Sequence, residues 1–72
     1  MAWQQFPPFS SSNIQSIRYE DALLILEVTF HNGGTYQYYD VPNHVAAAFQ
    51  AAGSKGEFLA SDIKGNYRYS KL

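Results

Sequence analysis

Chemistry in this sequence would have to come from its aromatic and basic side chains. Tyr36, Tyr38 and Tyr39 lie within four consecutive residues, and Tyr67 and Tyr69 interleave with Lys64, Arg68 and Lys71 further on. A ring that stacks on a base, beside a cation that pairs with phosphate, is how proteins hold nucleotides and single strands, each stacked base contributing roughly 1–3 kcal/mol. The plainer expectation is that these tyrosines pack across strands as core. Gly53-Ser-Lys-Gly56 offers a second candidate, because Ser54 and Lys55 would sit at a helix start, where free N–H groups attract anions. Glu57 weighs against it, since Ser54 and Glu57 read as a capping box that already places a carboxylate there. His31 and His44 have no partner at metal-ligand spacing, and Asp40 with His44 is the one acid–histidine pair worth naming. No nucleophile, base and orienting group stand at a known spacing, so neither a metal site, a cofactor nor catalysis is expected.

Composition narrows the partners. The net charge is −1, but residues 1–53 set Arg18 against Glu20, Asp21, Glu27 and Asp40, whereas residues 54–72 set Lys55, Lys64, Arg68 and Lys71 against Glu57 and Asp62. Five Lys and Arg in the whole chain are few for gripping duplex DNA, which takes clustered cations, yet one or two suffice for a small nucleotide. Without cysteine there is neither a disulfide staple nor a thiolate metal site, so packing or self-association must stabilise a domain of 72 residues. The longest apolar run, Ala22 to Leu26, is too short to span a membrane, and a basic-then-apolar leader is not seen at the N-terminus. A cytoplasmic protein is expected.

The elements that would position these groups can be read from periodicity. Residues 1–11 have neither helical nor strand period, but Trp3, Phe6 and Phe9 are too apolar to leave in water, so this arm is expected to pack on the domain or on a neighbouring subunit. Ile14–Tyr19 alternates weakly, Glu20-Asp21 makes a turn, and Leu23–Phe30 is the strongest strand pattern, with Leu24, Leu26, Val28 and Phe30 on its core face. His31-Asn-Gly-Gly34 is a hairpin turn. A loop of odd length with a glycine bulge puts Tyr36 and Tyr38 on the face of Val28 and Phe30; a two-residue turn would not. Pro42 opens a helix over Val45–Ala52 with Val41, Val45, Ala48, Phe49 and Ala52 as its stripe, and Gly53 stops it. A second helix follows Ser54, with Leu59 and Ile63 inward. Tyr67–Leu72 is either a short edge strand or an extended tail.

Phe30-His-Asn-Gly-Gly-Thr-Tyr-Gln-Tyr-Tyr-Asp-Val-Pro42, followed by Ser54, Gly56, Phe58, Ile63 and Tyr67 in order, resembles the KTSC domain, a short family named for the C-terminal region of some lysyl-tRNA synthetases and also found in stand-alone bacterial and phage proteins. The resemblance runs from about Ser12 to Tyr69 and leaves out Trp3, Phe6 and Phe9. It implies a small α+β domain over residues 12–72, with RNA binding as the role that the synthetase context brings to mind.

Taken together, these readings predict an antiparallel sheet of three strands, or four if the C-terminal stretch pairs, packed by two short helices. The function expected is non-enzymatic binding of a base-bearing anion through Tyr36, Tyr38, Tyr67 and Tyr69 with Lys55, Lys64, Arg68 and Ser54. The ligand would be a small or cyclic nucleotide, sequestered in a phage-type setting, or single-stranded RNA. Trp3, Phe6 and Phe9 would serve a homo-oligomer, with any enclosed pocket lying between subunits, because so thin a domain cannot hollow out roughly 300–1,000 Å³ of its own. The competing class is a protein-interaction or self-assembling module in which the same rings meet a protein surface.

Overall fold

The computed structural model describes residues 2–72. Its elements are β1 (Gln4–Gln5), β2 (Ile14–Glu20), β3 (Ile25–Phe30), β4 (Thr35–Tyr38), α1 (Asn43–Ala51), α2 (Lys55–Phe58) running on into a π-helical turn (Leu59–Ile63), and β5 (Tyr69–Lys71). The strands form one antiparallel sheet in the order of the chain. This is the expected α+β fold with five strands instead of three or four. Strands of two and three residues, as β1 and β5 are, carry no period to read.

The Leu23–Phe30 pattern shortens at its start. Leu23 and Leu24 belong to the β2–β3 turn, where Leu24 takes a φ of 56° and Leu23 is 50% exposed. The cause is local: the Glu20 carboxylate accepts the Ala22 N–H at 3.0 Å, a side-chain bond two residues on that competes with the ladder. Leu24 is then tied down through its carbonyl, which accepts the Val41 N–H at 3.0 Å.

The β3–β4 connection has the odd length that parity requires. Phe30 N–H donates to the Gly34 carbonyl at 2.8 Å and Gly33 N–H to the Phe30 carbonyl at 2.9 Å, and Gly33 takes a φ of 93°, the three-residue turn with a left-handed glycine. Val28 therefore faces Tyr36 and Leu26 faces Tyr38. One face of the sheet carries Ile17, Tyr19, Leu26, Val28 and Tyr38, all buried, and α1 and the π-turn close over it with Phe49, Leu59 and Ile63. Tyr19 secures the seam by donating its hydroxyl to the Val41 carbonyl at 2.6 Å; burial, and secondarily Asp21, push that phenol's pKa up.

On α1 the buried positions are Ala46 and Phe49, with Val45 half-buried and Ala48 exposed. The expected stripe is thus rotated. A run of alanines does not choose a face; Phe49 does, and the small Ala46 one turn earlier permits close approach to the sheet. Ser54 caps α2 by accepting the Glu57 N–H at 3.3 Å, which is half of the expected capping box.

The N-terminal arm lies on its own domain. β1 pairs with β2 through Gln4↔Tyr19 and Gln5↔Arg18, and Phe6 N–H donates to the Ile17 carbonyl at 2.9 Å. The Phe6 ring, 6% exposed, meets Phe49 edge-on with centroids 5.5 Å apart. Trp3 covers the other face of the sheet, where the Arg18 guanidinium lies 4.2 Å from its ring centroid. Arg18 in turn forks onto Glu27 at 2.6 and 3.1 Å, and Gln37 donates to the same carboxylate at 2.9 Å. That nearly buried Glu27 is the outer face's anchor: hydrogen bonding from Arg18 holds its pKa below the ordinary carboxylate range, outweighing desolvation.

Candidate functional site

Register decides which rings meet. Because Tyr36 faces Lys71 and Tyr38 faces Tyr69, these four side chains share the face that carries Leu26 and Val28. The helices cover the Leu26–Tyr38 end of that face and leave the Phe30–Tyr36 end open. An open groove of about 740 Å³ results, floored by Phe30, Tyr36, Tyr38 and Tyr69 and bordered by Lys64, Lys71, His31 and the Ser12-Asn13 turn. That volume falls in the range of small-molecule sites. The last strands of the sheet supply its floor without hollowing the core, so this space is an open groove on one chain and not an enclosed pocket of the kind expected between subunits.

The floor is a chain of ring contacts. Phe30 meets Tyr36 edge-on with centroids 5.6 Å apart, and Tyr69 tilts over both Tyr36 and Tyr38 at 5.9 Å. Tyr38 is buried, and burial, followed by its neighbours Tyr36 and Tyr69, raises its phenol pKa so that it stays a neutral donor. Tyr69 is 62% exposed, so one face of its ring is free to stack. Lys71 Nζ lies 5.9 Å from the Tyr36 ring centroid, a cation held over an aromatic surface. Among the described residues the groove's lining includes two lysines and a histidine but no Asp or Glu, in a chain whose net charge is −1.

His31 is fixed at the rim. Its backbone N–H donates to the Asn13 carbonyl at 2.9 Å, and its Nε2 lies 3.1 Å from the Ser11 carbonyl. Ser11 Oγ also accepts the Ile14 N–H at 3.2 Å and donates to Asn13 Oδ1 at 3.0 Å. The turn that enters β2 and the turn that leaves β3 thus brace one another beside the groove.

Of the residues singled out in the sequence, Tyr36, Tyr38, Tyr69 and Lys64 come together here, and Lys71 joins them. The others do not. Tyr67 lines a smaller cleft of about 340 Å³ with His44 and Phe58. Arg68 pairs with Asp40 at 3.0 Å and lies 5.2 Å over the Tyr39 ring, which also separates Asp40 from the pairing with His44 considered above. Lys55 donates to the Ala52 carbonyl at 2.6 Å and lies 5.5 Å from the Phe9 ring, so with Ser54 it finishes a helix junction. Phe30, expected on the core face, and His31, expected in the hairpin turn, both line the groove, because the odd loop aims both ends of the hairpin at one side. Among the described residues no group of three or more His, Cys, Asp or Glu is placed to hold a metal, and no helix is long and apolar enough to cross a membrane.

The fold as a whole has counterparts among known proteins. The KTSC domain model matches residues 10–67. A KTSC domain protein of Yersinia pestis, solved by crystallography, superposes with a TM-score of 0.89 at 42% identity, covering 99% of each chain. A protein of Tsukamurella paurometabola is 39% identical over 61 residues, 85% of this chain and 91% of that one. A lysine–tRNA ligase of Trichormus variabilis is 36% identical over 61 residues, and there the match spans only 11% of the ligase. With most of its length matched by the family model and its whole fold by a solved member, the chain belongs to the KTSC domain family.

Proposed function

We propose that this protein is a non-enzymatic module that binds a small nucleotide in the groove floored by Tyr36, Tyr38 and Tyr69. The observation that carries the reading is the composition of that groove: a ring face open to solvent on Tyr69, two ammonium groups, and no carboxylate on the lining. A base stacks on the Tyr69 ring, the Tyr38 hydroxyl donates to an edge of the base or to its sugar, and Lys64 and Lys71 hold phosphate. Lys71 moves from the Tyr36 ring to the phosphate on binding, exchanging one favourable contact for a stronger one.

A nucleotide within single-stranded RNA would present the same chemistry, and the likeness to part of a lysine–tRNA ligase keeps that source in play. Salt separates the two. A small nucleotide neutralised by two lysines weakens modestly with added salt, whereas a strand running along the basic C-terminal end weakens steeply. Thermal unfolding in the presence of adenosine and guanosine monophosphates, their cyclic forms and a short single-stranded RNA tests the proposal, because a ligand at 100 times its Kd stabilises by about 2.7 kcal/mol. No stabilisation by any of them sinks it and returns the exposed rings to a protein partner.

A further inference from the structure

We propose that β5 is a self-association edge through which two copies of this chain join their sheets, with the dyad passing between the two Ser70 residues. The inference rests on backbone geometry and is independent of whether the groove takes a nucleotide. Leu72 N–H donates to the Thr35 carbonyl at 2.8 Å and the Arg68 carbonyl accepts the Tyr39 N–H at 2.9 Å, while Ser70 faces Gln37 in the ladder. Arg68, Ser70 and Leu72 therefore turn their main-chain groups toward β4, and alternation turns those of Tyr69 and Lys71 toward the open edge. Every residue of β5 is exposed.

The other edge of the sheet is guarded: β1 is two residues long and is followed by Pro7 and Pro8, which donate nothing to a ladder. β5 has no proline and no bulge. Besides its length of three residues, its guard is Lys71, and a charge on an edge strand opposes any register that sets like charges face to face. Antiparallel pairing centred on Ser70 avoids that conflict. Tyr69 then faces the partner's Lys71, and Lys71 faces the partner's Tyr69, so the outward N–H and C=O groups of both residues are satisfied in closely spaced pairs and each ammonium lies beside a ring. Ser70 meets its own copy in the non-hydrogen-bonded position, where a small side chain is needed. Leu72, 66% exposed, lies along the stem of the partner's Arg68 on the outer face. Lys71 thereby becomes the residue that fixes register.

The consequence is spatial. A dyad of this kind keeps both grooves on the same side of one continuous sheet, with Tyr69 and Lys71 of each copy at the shared border, so the two grooves adjoin.

The test uses the full chain. Light scattering over a concentration series is expected to rise from the 8.1 kDa of one chain toward twice that mass, and Ser70→Glu, which sets two carboxylates face to face, is expected to hold the mass at one chain. Because the protein has no cysteine, Ser70→Cys can form a disulfide only with residue 70 of another copy, and if the dyad holds the two together it is expected to form that dimer at least about tenfold faster than the collisional cross-linking of Ala47→Cys on the exposed side of α1. A mass of one chain at every concentration overturns the proposal, as does a dimer that a folded Ser70→Glu variant retains. If Ser70→Glu does not fold, the cross-linking rates decide, and equal rates for the two cysteines also overturn it.

Discussion

Replacing Phe6 by alanine asks whether the N-terminal arm is part of the core or an accessory to it. The ring is 6% exposed and meets Phe49 edge-on, and Phe49 itself stacks on Phe58 at 5.0 Å, so Phe6 closes a row of three rings that joins β1 to α1 and α2. Truncating a buried Phe costs about 3–5 kcal/mol, the lower end applying where neighbours can collapse into the space. Phe6 lies on a short edge element that can shift, which places its cost near 3 kcal/mol. For a domain of this size each kcal/mol moves Tm by roughly 4–8 °C, so the expected fall in Tm is on the order of 12–24 °C. Circular dichroism melts at two protein concentrations measure it and exclude an effect mediated by association. Trp3→Ala, which removes a half-buried ring and its contact to Arg18, is expected to cost about 1 kcal/mol. A Phe6→Ala melt within a few degrees of the parent, or one no lower than that of Trp3→Ala, would refute the claim that the arm completes the core.

Four further outcomes concern the outer face, the turn and the helix junction. Arg18→Ala leaves the Glu27 carboxylate nearly buried with only Gln37 beside it, and is expected to cost about 2 kcal/mol after allowance for the solvent that already reaches Arg18, measured by urea unfolding. Since the Glu27 carboxyl is held below its ordinary value in the fold, its contribution is complete above the usual carboxylate range and is lost as pH falls through the depressed value; Glu27→Gln is expected to flatten the acid limb of stability against pH, and an unchanged limb would contradict the pairing. Gly33→Ala, at a φ of 93° with open space around its Cβ, is expected to cost about 1–2 kcal/mol from backbone strain alone, whereas Gly53→Ala, equally unhindered and without a positive φ, is expected to be neutral or to stabilise by up to about 1 kcal/mol.

What was legible in the sequence was whatever a period or a parity could encode. Leu26, Val28 and Phe30 mark a face two residues apart, and the odd His31–Gly33 loop carries that face onto Tyr36 and Tyr38, which is the step that builds the groove floor. Pro42 and Ser54 mark helix starts because each has one physical use there. Leu23 and Leu24 misled, since an apolar pattern says nothing of the Glu20 carboxylate that folds the turn beneath them. The alanines of α1 misled for the opposite reason, being too alike to mark a face. β1 was invisible as a strand and β5 legible only as one of two alternatives, because their existence depends on partners supplied by β2 and β4. The site suffered most from this: with the bounds and register of β5 open, Tyr69 and Lys71 could not be told from Arg68, which has the other parity, or from Tyr67, which shares theirs but precedes β5 and lines the cleft beside His44.

The most direct measurement is a backbone and side-chain NMR titration of the full chain with guanosine and adenosine monophosphates and a cyclic dinucleotide. The account predicts that the resonances that move are those of Phe30, Tyr36, Tyr38, Tyr69, Lys64 and Lys71, and that Tyr69→Ala abolishes the movement while leaving the melt within a few degrees of the parent. Saturable shifts confined to the Tyr67–His44 cleft or to the Lys55 junction, or no saturable shifts with any of these ligands, would contradict it.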